Sequence, residues 1–353
     1  MEPGLHPSND AAQHGPRPLP LFLSMLRSET AANSERRERA LRGLRAYQAA
    51  PRARRPPPAP AIASAGRATL RDYGGSGPAV VFVPSLINPP FVLDLAPETS
   101  LLRWLAARGH RTLLVDWGTP SPADRGSDIA AHVTDLLLPL LRTLPKAPAL
   151  VGYCLGGTIA LAAAQLLPAA GLALLAAPWR FTGFGQPASD RIADLWARSA
   201  RSCTALGLVP VEVLQAGFWS LDPVRTVAKY ERFGTLDPAS AEATAFVALE
   251  DWANAGAPLP LAAGRDLFER FVVADEPGSG AWTVAGRQID PAALDCPTLD
   301  IASTSDRIVP LATAARLPGF RAVAAGHVGM IVGSRARAQV WEPLEAFLTR
   351  TAG

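Results

Sequence analysis

Residues 152–157 have the sequence Gly-Tyr-Cys-Leu-Gly-Gly, and this stretch decides the fold class of the chain. It has the spacing of a nucleophile elbow, with cysteine where serine is usual, and small flanking residues that permit a strained backbone at the nucleophile. The apolar run Ala147–Val151 before it is typical of a strand. Residues Thr158–Leu167 after it are rich in Ala and Leu, which favour a helix. We therefore predict a strand, a sharp turn that presents Cys154, and a helix.

Two interpretations of Cys154 are open at this point. A helix N-terminus favours the thiolate and directs backbone N–H groups at a developing oxyanion, which suits covalent catalysis. However, Gly-rich strand-to-helix turns are common in α/β proteins, and a small apolar cysteine often only fills space. No Gly-x-Ser-x-Gly occurs in the chain, so no serine elbow competes with this one.

Length and composition restrict the class of protein. With 353 residues and 48% hydrophobic content, the chain can bury a large core, which excludes a disordered or fibrous protein. Its three cysteines are far apart, and no pair has the spacing of metal ligands. No apolar run reaches membrane-spanning length, and the N-terminus lacks the order of a secretory signal. We therefore expect a cytoplasmic protein with no transmembrane segment and no metal site.

The positive charge is concentrated at the N-terminus. Residues 1–60 contain ten Arg against five Asp or Glu, so the net charge of +3 leaves −2 for the remaining chain. Such a segment could contact an anionic surface, a nucleic acid or the phosphates of a cofactor. The alternative, a solvated helix face in an Arg-rich chain, is favoured. We predict no nucleic-acid function.

The order of patterns along the chain predicts an α/β fold. Short β-branched runs alternate with amphipathic stretches, as expected for βαβ units in a doubly wound, mostly parallel sheet. The predicted strands are Val80–Val83, Thr112–Val115, Ala149–Val151, Leu172–Leu175, Thr298–Ser303 and Arg321–Val323. The predicted helices are Glu35–Ala50, Leu101–Arg108, Ile129–Leu141, Thr158–Leu167 and Arg337–Leu348.

Four segments follow from this pattern. Residues 1–60 are a basic, Pro-containing tail with one helix, and residues 61–180 are the first part of the α/β core. Residues 181–294 are an inserted, mainly helical cap, and residues 295–353 complete the core. The cap holds Trp196, Trp219, Trp252 and Trp282, which either line an acyl channel or form the core of the cap; the second is favoured.

Two further candidate catalytic residues follow the last predicted strands. Asp306 comes three residues after Thr298–Ser303, and His327 follows Arg321–Val323 between nearby glycines. The order nucleophile, acid, histidine, each after a strand, is the order of the α/β-hydrolase fold. A thiol needs a base, and histidine is the natural one near neutral pH.

Other residues compete for these roles less well. His6 and His14 lie in the tail, His110 precedes a strand on the side away from the elbow, and His132 falls within a helix. For the carboxylate that orients the imidazole, Asp300 falls inside a strand and Asp116 follows an earlier one, so Asp306 is favoured. Cys203 and Cys296 have no elbow around them, and we interpret both as passive thiols.

The position of an oxyanion hole follows from the fold. The N–H of Leu155, directly after the nucleophile, is the first expected donor. The second comes from the loop after an early strand, here residues 84–88, and we assign it to Ile87.

Several segments, taken together, identify a family resemblance. They are Val83-Pro84-Ser85-Leu86-Ile87-Asn88, Leu93-Asp94-Leu95, Ser100-Leu101-Leu102-Arg103-Trp104-Leu105, Val115-Asp116-Trp117-Gly118, the elbow at Cys154, Ala177-Pro178-Trp179, Leu249-Glu250-Asp251-Trp252 and Gly326-His327-Val328-Gly329. In this order they resemble conserved blocks of the polyhydroxyalkanoate synthases, closest to the catalytic subunit of the two-subunit type. The resemblance spans residues 67–345.

The resemblance implies an activity and partners. In this family a cysteine accepts a 3-hydroxyacyl group from coenzyme A and passes it to the hydroxyl end of a growing polyester chain, with no bound cofactor. Cys154 would be the nucleophile, His327 the base and Asp306 the residue that holds the imidazole. The resemblance also implies a second synthase subunit or a homodimer, and a location at the surface of polyester granules.

The chain departs from the family pattern at one position beside the site, because Arg307 follows Asp306 where the family usually has histidine. Two alternatives stay open. One is a thioesterase or ester hydrolase that uses the same three residues. The other is an inactive granule-associated or partner-binding protein with the same fold.

Overall fold

The computed structural model describes residues 14–52 and 57–351. They pack as two compact units. One consists of the described part of Met1–Ala53 together with Pro223–Asn254, and the other of the described part of Arg54–Asp222 together with Ala255–Gly353. These units do not follow the limits of the predicted tail, core and cap, which stay a prediction.

The larger unit is built around β-strands. The described residues form twelve strands: β1 (Ala61–Ala65), β2 (Ala68–Asp72), β3 (Ala79–Val83), β4 (Arg111–Asp116), β5 (Ala149–Tyr153), β6 (Gly171–Leu175), β7 (Leu208–Val209), β8 (Leu259–Pro260), β9 (Thr283–Val284), β10 (Arg287–Gln288), β11 (Thr298–Ser303) and β12 (Phe320–Val323). Each of the six predicted strands is present, within two residues at either end.

Eight of these strands form one twisted sheet in the order β1-β2-β4-β3-β5-β6-β11-β12. Strands β3 to β6, β11 and β12 pair in parallel, whereas β1 and β2 form an antiparallel hairpin at the edge next to β4. Strands β5 and β6 are buried at every residue, because helices cover both faces of a parallel sheet. The predicted α/β-hydrolase fold with a mostly parallel sheet is confirmed. The hairpin β1–β2 was not predicted, because its Ala- and Ser-rich sequence lacks the β-branched runs that mark the other strands.

Helices surround the sheet and form most of the segment between β6 and β11. The described α-helices are α1 (Leu19–Glu29), α2 (Ser34–Ala49), α3 (Leu101–Ala106), α4 (Ile129–Ala131), α5 (Leu138–Arg142), α6 (Leu155–Leu166), α7 (Gln186–Leu206), α8 (Val211–Leu221), α9 (Pro223–Phe233), α10 (Ala241–Asn254), α11 (Leu261–Arg265), α12 (Glu276–Ser279), α13 (Gly329–Val332) and α14 (Glu342–Thr351). Three π-helical segments continue or join them: His132–Leu137, Asp266–Val273 and Arg337–Trp341.

The smaller unit is helical and brings the N-terminal segment against α9 and α10. A Cβ on Gly43 of α2 would lie 1.7 Å from the carbonyl oxygen of Tyr230 in α9, so only glycine permits this approach. Tyr47 donates a hydrogen bond of 2.7 Å to Asp251, and Arg36 donates one of 2.6 Å to Glu231. The predicted helix Glu35–Ala50 is present as α2. Helix α1 was not predicted, so the tail has two helices where one was expected.

The tryptophans between β6 and β11 are all buried. Trp196 donates a hydrogen bond of 2.6 Å to Glu269 and stacks on Phe268 with ring centroids 5.0 Å apart. Trp282 is completely buried against Trp179 and Phe271. These side chains form core, as favoured from the sequence.

Candidate active site

The predicted elbow lies between β5 and α6. Cys154 precedes the first residue of α6 and has φ 56° and ψ −135°, a conformation that residues with a Cβ rarely adopt. Its N–H donates to the carbonyl oxygen of Leu175 at the end of β6, 3.0 Å away. Such strain costs about 1–3 kcal/mol and persists only where the surroundings enforce it. The sheet therefore holds the thiol in place.

Glycines permit the close approach of α6 to the sheet. A Cβ on Gly152 would lie 2.3 Å from the Cα of Gly157, and a Cβ on Gly156 would lie 2.1 Å from the carbonyl oxygen of Val83. Both distances are far below van der Waals contact. The spacing of small residues around Cys154 is therefore a steric requirement of the turn.

His327 and Asp306 meet at the same edge of the sheet, in the loops after β12 and β11. The Nδ1 of His327 donates to the Oδ2 of Asp306 at 2.7 Å. The other carboxylate oxygen, Oδ1, accepts hydrogen bonds from the backbone N–H groups of Ile308 at 2.8 Å and Val309 at 2.9 Å. The carboxylate is thus fixed at both oxygens and fully buried. Because Nδ1 carries the proton, Nε2 remains for the thiol of Cys154.

The side chains of His327 and Cys154 are within hydrogen-bonding reach, so all three predicted catalytic residues are brought together. Burial lowers the pKa of His327, but the negative charge of Asp306, the thiolate of Cys154 and the hydrogen bonds to both outweigh burial and raise that pKa to about 10. An imidazole with a raised pKa beside a thiol can hold a proton and give it up again as a general acid. The arrangement can therefore supply a nucleophile and an acid at once.

Two residues that support the histidine were missed by the sequence analysis. The ring of Tyr153 stacks on the imidazole of His327, with centroids 5.1 Å apart and an angle of 25° between planes, and its hydroxyl donates to the backbone oxygen of His327 at 3.4 Å. Ser303, at the end of β11, accepts from the N–H of Ser305 at 3.1 Å and donates to the carbonyl oxygen of Ala325. Ser303 thereby ties the loop of Asp306 to the loop of His327. The position of Tyr153 inside the elbow is the only sequence signal for either residue.

The residues of the two predicted oxyanion donors, Leu155 and Ile87, line the same pocket as Cys154. Leu155 is the first residue of α6, where N–H groups have no acceptor within the helix. The N–H of Ile87 donates to the Oγ of Ser85 over 3.3 Å, a long contact that a stronger acceptor could replace. Trp117 anchors the same loop, because its Nε1 donates to the carbonyl oxygen of Pro84 at 3.0 Å.

The other described histidines lie away from Cys154, in contacts that suit a structural role. His110 is buried directly before β4, and burial lowers its pKa. His132 lies between Arg67 and the carbonyl oxygen of Asp128, and burial lowers its pKa to about 4. His14 lies 3.7 Å from a carboxylate oxygen of Asp251 in the smaller unit. His6 falls outside the described residues.

The competing carboxylates and thiols are also accounted for. Asp300 is buried inside β11 and accepts from the N–H groups of Arg316 and Leu317, while Asp116 ends β4 and pairs with Arg71 at 2.8 Å. Burial raises the pKa of both Cys203 and Cys296, which makes their thiolates scarce. These four residues lie outside the site.

An apolar pocket opens onto the thiol. Its lining consists of Ile87, Cys154, Leu155, Pro178, Phe181, Phe184, Ile192, Leu214, Gly217, Phe218, Leu221, Leu267, Phe268, Val272, Ile308 and Val309. Cys154 is the one residue among them with a polar side-chain group. The pocket can therefore accept an apolar or weakly polar acyl group, but its lining side chains, apart from the thiol, provide no partner for a buried charge.

No group of three or more His, Cys, Asp or Glu side chains within 14–52 and 57–351 is arranged to hold a metal ion. Over the same residues, no helix combines the length and apolar character needed to cross a membrane.

Comparison with known proteins identifies the class. A model of the alpha/beta hydrolase family matches residues 80–342, so this chain belongs to that family. A lipase candidate from Sulfolobus solfataricus has a similar solved structure, with a TM-score of 0.53, 14% identity, and coverage of 80% of this chain and 89% of that one. That likeness concerns the fold alone.

Within the family, the chain is similar to named polymerases. It is 30% identical over 281 residues to the poly(3-hydroxyalkanoate) polymerase subunit PhaC of Haloferax mediterranei, which covers 74% of this chain and 56% of that protein. It is 25% identical over 280 residues to the subunit of that name from Allochromatium vinosum, covering 74% of this chain and 78% of that protein. The chain thus spans little more than half the length of the haloarchaeal relative. The resemblance to the polyhydroxyalkanoate synthases is confirmed.

Proposed function

We propose that this protein is an acyltransferase that polymerises (R)-3-hydroxyacyl groups from coenzyme A thioesters into polyhydroxyalkanoate. The observation that carries the proposal is the strained Cys154 at an apolar pocket, within reach of an imidazole that is held by a buried carboxylate. The similarity to proteins named poly(3-hydroxyalkanoate) polymerase supplies the substrate class.

In the first step the thiolate of Cys154 attacks the carbonyl carbon of the acyl-CoA thioester. The oxyanion that forms accepts hydrogen bonds from the N–H groups of Leu155 and Ile87. The bond to the sulfur of coenzyme A then breaks, and the imidazolium of His327 gives its Nε2 proton to the departing thiolate. The products are free coenzyme A and an acyl group on Cys154.

In the second step the hydroxyl end of a growing chain attacks the acyl-enzyme. The Nε2 of His327, now neutral, takes the hydroxyl proton, the new ester bond forms and the thiolate of Cys154 leaves. Asp306 keeps the proton on Nδ1 throughout and stabilises the imidazolium. One acyl group has then moved from sulfur to oxygen, and the enzyme is restored.

The apolar pocket favours transfer to a chain hydroxyl over hydrolysis. Water bound near the acyl-enzyme would find few hydrogen-bonding partners on the lining side chains, whereas the hydrocarbon part of a polyester chain is stabilised there. The acyl-enzyme is a thioester and so keeps the acyl group activated until the hydroxyl end arrives.

The proposal includes partners and a location. No bound cofactor is needed, because the coenzyme A thioester is itself the substrate. The acyl acceptor is the polyester chain, assembly is with a second synthase subunit or as a homodimer, and the working location is the surface of a polyester granule in the cytoplasm. Pull-down from the native cell tests the partner, and co-sedimentation with granules tests the location.

The central experiment incubates the purified full chain with 3-hydroxybutyryl-CoA. Thiol release, the mass of each cysteine peptide and the product are followed together. The three cysteines fall in separate tryptic peptides, 147–180, 202–225 and 288–307, so acylation can be assigned without labelling. We expect acylation of peptide 147–180 and polymer, loss of both in Cys154→Ala, and little change in Cys203→Ala.

Other outcomes decide between the alternatives. Free 3-hydroxybutyrate without polymer would identify a thioesterase that uses the same residues. An active protein that is acylated at Cys203 or Cys296 would contradict the site. Absence of thiol release with the partner subunit present would identify an inactive binding protein.

A further inference from the structure

We propose that Arg307, on the rim of the apolar pocket, binds the phosphates of the coenzyme A thioester. This inference rests on the proposed function, because it concerns the donor used at the same site. It assigns a binding role to the residue at which the chain departs from the family pattern.

The pocket can hold only part of an acyl-CoA. Its lining side chains are apolar apart from the thiol of Cys154, so they can take the acyl group but not the phosphates. Moving phosphate charge into such surroundings without a partner is prohibitively unfavourable. The pantetheine arm carries the phosphates away from the thioester, so they lie at or beyond the rim.

The sequence neighbours of Arg307 place it on that rim. Ile308 and Val309, which follow it, line the pocket from the side of the sheet. Its guanidinium Nε lies 3.5 Å from the Oδ2 of Asp222, and Asp222 directly follows Leu221, a lining residue at the end of α8. The ion pair therefore spans the pocket edge between the loop after β11 and α8.

The contact between Arg307 and Asp222 is loose enough to be exchanged. At 3.5 Å it exceeds ordinary hydrogen-bond length, and 69% of the Arg307 side chain is exposed. A guanidinium has five N–H donors in a planar fork, which suits two-point binding of a phosphate. Arg307 can therefore turn from one carboxylate to a phosphate without giving up a strong bond.

Two other arginines of the same unit make tighter ion pairs than Arg307 does. Arg103 donates to both carboxylate oxygens of Asp94, at 2.8 and 3.0 Å. Arg111 donates twice to Asp72, at 3.1 and 3.0 Å. These guanidiniums already have the two-point partner that Arg307 lacks in its contact with Asp222.

The test compares two acyl donors that share the acyl group and the thioester, of which only one carries phosphates. One is 3-hydroxybutyryl-CoA, and the other is the N-acetylcysteamine thioester of the same acid, which has no phosphate. In Arg307→Gln we expect KM for the coenzyme A thioester to rise about tenfold with kcat within about twofold, because charge-assisted hydrogen bonds to phosphate are lost. The rate with the N-acetylcysteamine thioester should stay within about twofold.

The matched variant removes the competing carboxylate. Asp222→Asn frees the guanidinium of Arg307, so KM for the coenzyme A thioester should fall two- to threefold, by roughly the modest worth of an exposed ion pair. Binding of desulfo-coenzyme A, measured by calorimetry, should weaken about tenfold in Arg307→Gln and strengthen in Asp222→Asn. Raising the ionic strength should weaken binding to the unaltered protein more than to Arg307→Gln.

The outcomes separate this inference from the proposed function. An equal loss with both donors would mean that Arg307 acts through its neighbour Asp306, and would overturn the phosphate role. Unchanged binding of desulfo-coenzyme A in Arg307→Gln would overturn it as well. Failure of the unaltered protein to acylate Cys154 with either donor would instead refute the proposed function, and the calorimetric comparison would still decide the role of Arg307.

Discussion

Replacing Asp306 with Asn tests the orientation of the imidazole, because the structure dictates which way the new amide faces. In the native site Oδ1 accepts from two buried backbone N–H groups and Oδ2 accepts from Nδ1 of His327. An asparagine has one accepting oxygen and one donating NH₂ group. The amide oxygen can therefore accept either from the backbone N–H groups of Ile308 and Val309 or from Nδ1 of His327, but not from both.

One of the two orientations of the new amide costs far more free energy than the other. Turning the NH₂ group towards the N–H groups of Ile308 and Val309 would leave both without an acceptor, at a cost of about 1–3 kcal/mol each, or about 2–6 kcal/mol together. The amide oxygen therefore takes the place of Oδ1, and the NH₂ group faces Nδ1 of His327. That contact requires a lone pair on Nδ1, which moves the proton to Nε2, the nitrogen that has to accept it from the nucleophile.

The expected loss is large. A preference of about 2–6 kcal/mol corresponds to a factor of roughly 30 to 10⁴ against the productive tautomer, and the same change in serine-enzyme triads typically costs about 10⁴ in kcat. The pKa of His327 should also fall from about 10, because burial would no longer be opposed by the carboxylate. We expect turnover of 3-hydroxybutyryl-CoA to drop about 10²- to 10⁴-fold.

Alkylation by iodoacetamide gives a second readout that does not depend on the substrate. Near pH 7 the rate at peptide 147–180 should fall in Asp306→Asn, because the imidazole in the wrong tautomer no longer takes the proton of the nucleophile. The control is Asp290→Asn, where Oδ1 accepts from the N–H of Ala292 at 2.9 Å in a turn before β11. If Asp306→Asn kept turnover and alkylation within about threefold of the unaltered protein, the reasoning would be refuted.

Three further changes test other parts of the structure. In Tyr153→Leu the imidazolium of His327 loses a stacked ring, so NMR titration should show a lower pKa for that histidine, whereas Tyr153→Phe should preserve it. Gly156→Ala places a Cβ 2.1 Å from a backbone oxygen and should cost at least about 1–3 kcal/mol in urea unfolding, whereas a Cβ on Gly126 meets nothing within 4 Å and Gly126→Ala should be tolerated. Burial raises the pKa of Asp300 from 3.8 to about 6, so this group stabilises the fold below about pH 4 and loses that contribution as pH rises through about 6. Relative to the unaltered protein, Asp300→Asn should therefore gain up to about 3 kcal/mol of stability between pH 4 and 7, measured by thermal unfolding.

Each of these has an outcome that contradicts it. An unchanged pKa of His327 in Tyr153→Leu would show that the stacked ring does not stabilise the imidazolium. Equal stability of Gly156→Ala and Gly126→Ala would mean that the elbow can relax. A pH-independent difference for Asp300→Asn would mean that this carboxylate is not charged and buried in the native protein.

The sequence predicted those features of the structure that depend on residues close together in the chain. Gly152 is demanded by its contact with Gly157, five residues away in the turn, and apolar runs such as β5 and β6 reflect burial on both faces of the sheet. The positions of Asp306 and His327 followed because parallel strands end at one edge of a sheet. The six strands that pair in parallel, the fold class and the three residues that the structure brings together could be predicted for that reason.

Other features had no local signal. Helix α1 was missed because prolines interrupt the sequence at its start, Pro18 at the N-cap and Pro20 inside the first turn, although Phe22 and Leu26 bury one face of the helix. The Arg-rich helix α2 looked solvated, yet Gly43 fits against the backbone of Tyr230, a residue far away in the chain. Charge and propensity describe a helix by itself, whereas its partner is decided by packing with distant residues.

By itself, the sequence determined that this is an α/β protein with a cysteine elbow and a candidate base and acid after later strands, because periodicity and turn sterics act over a few residues. Only the tertiary structure decided that His327 lies between Asp306 and Tyr153 with a raised pKa, and that the thiol opens onto an apolar pocket. Those properties depend on desolvation and on charges brought together from separate loops, and neither is encoded by neighbours in the chain.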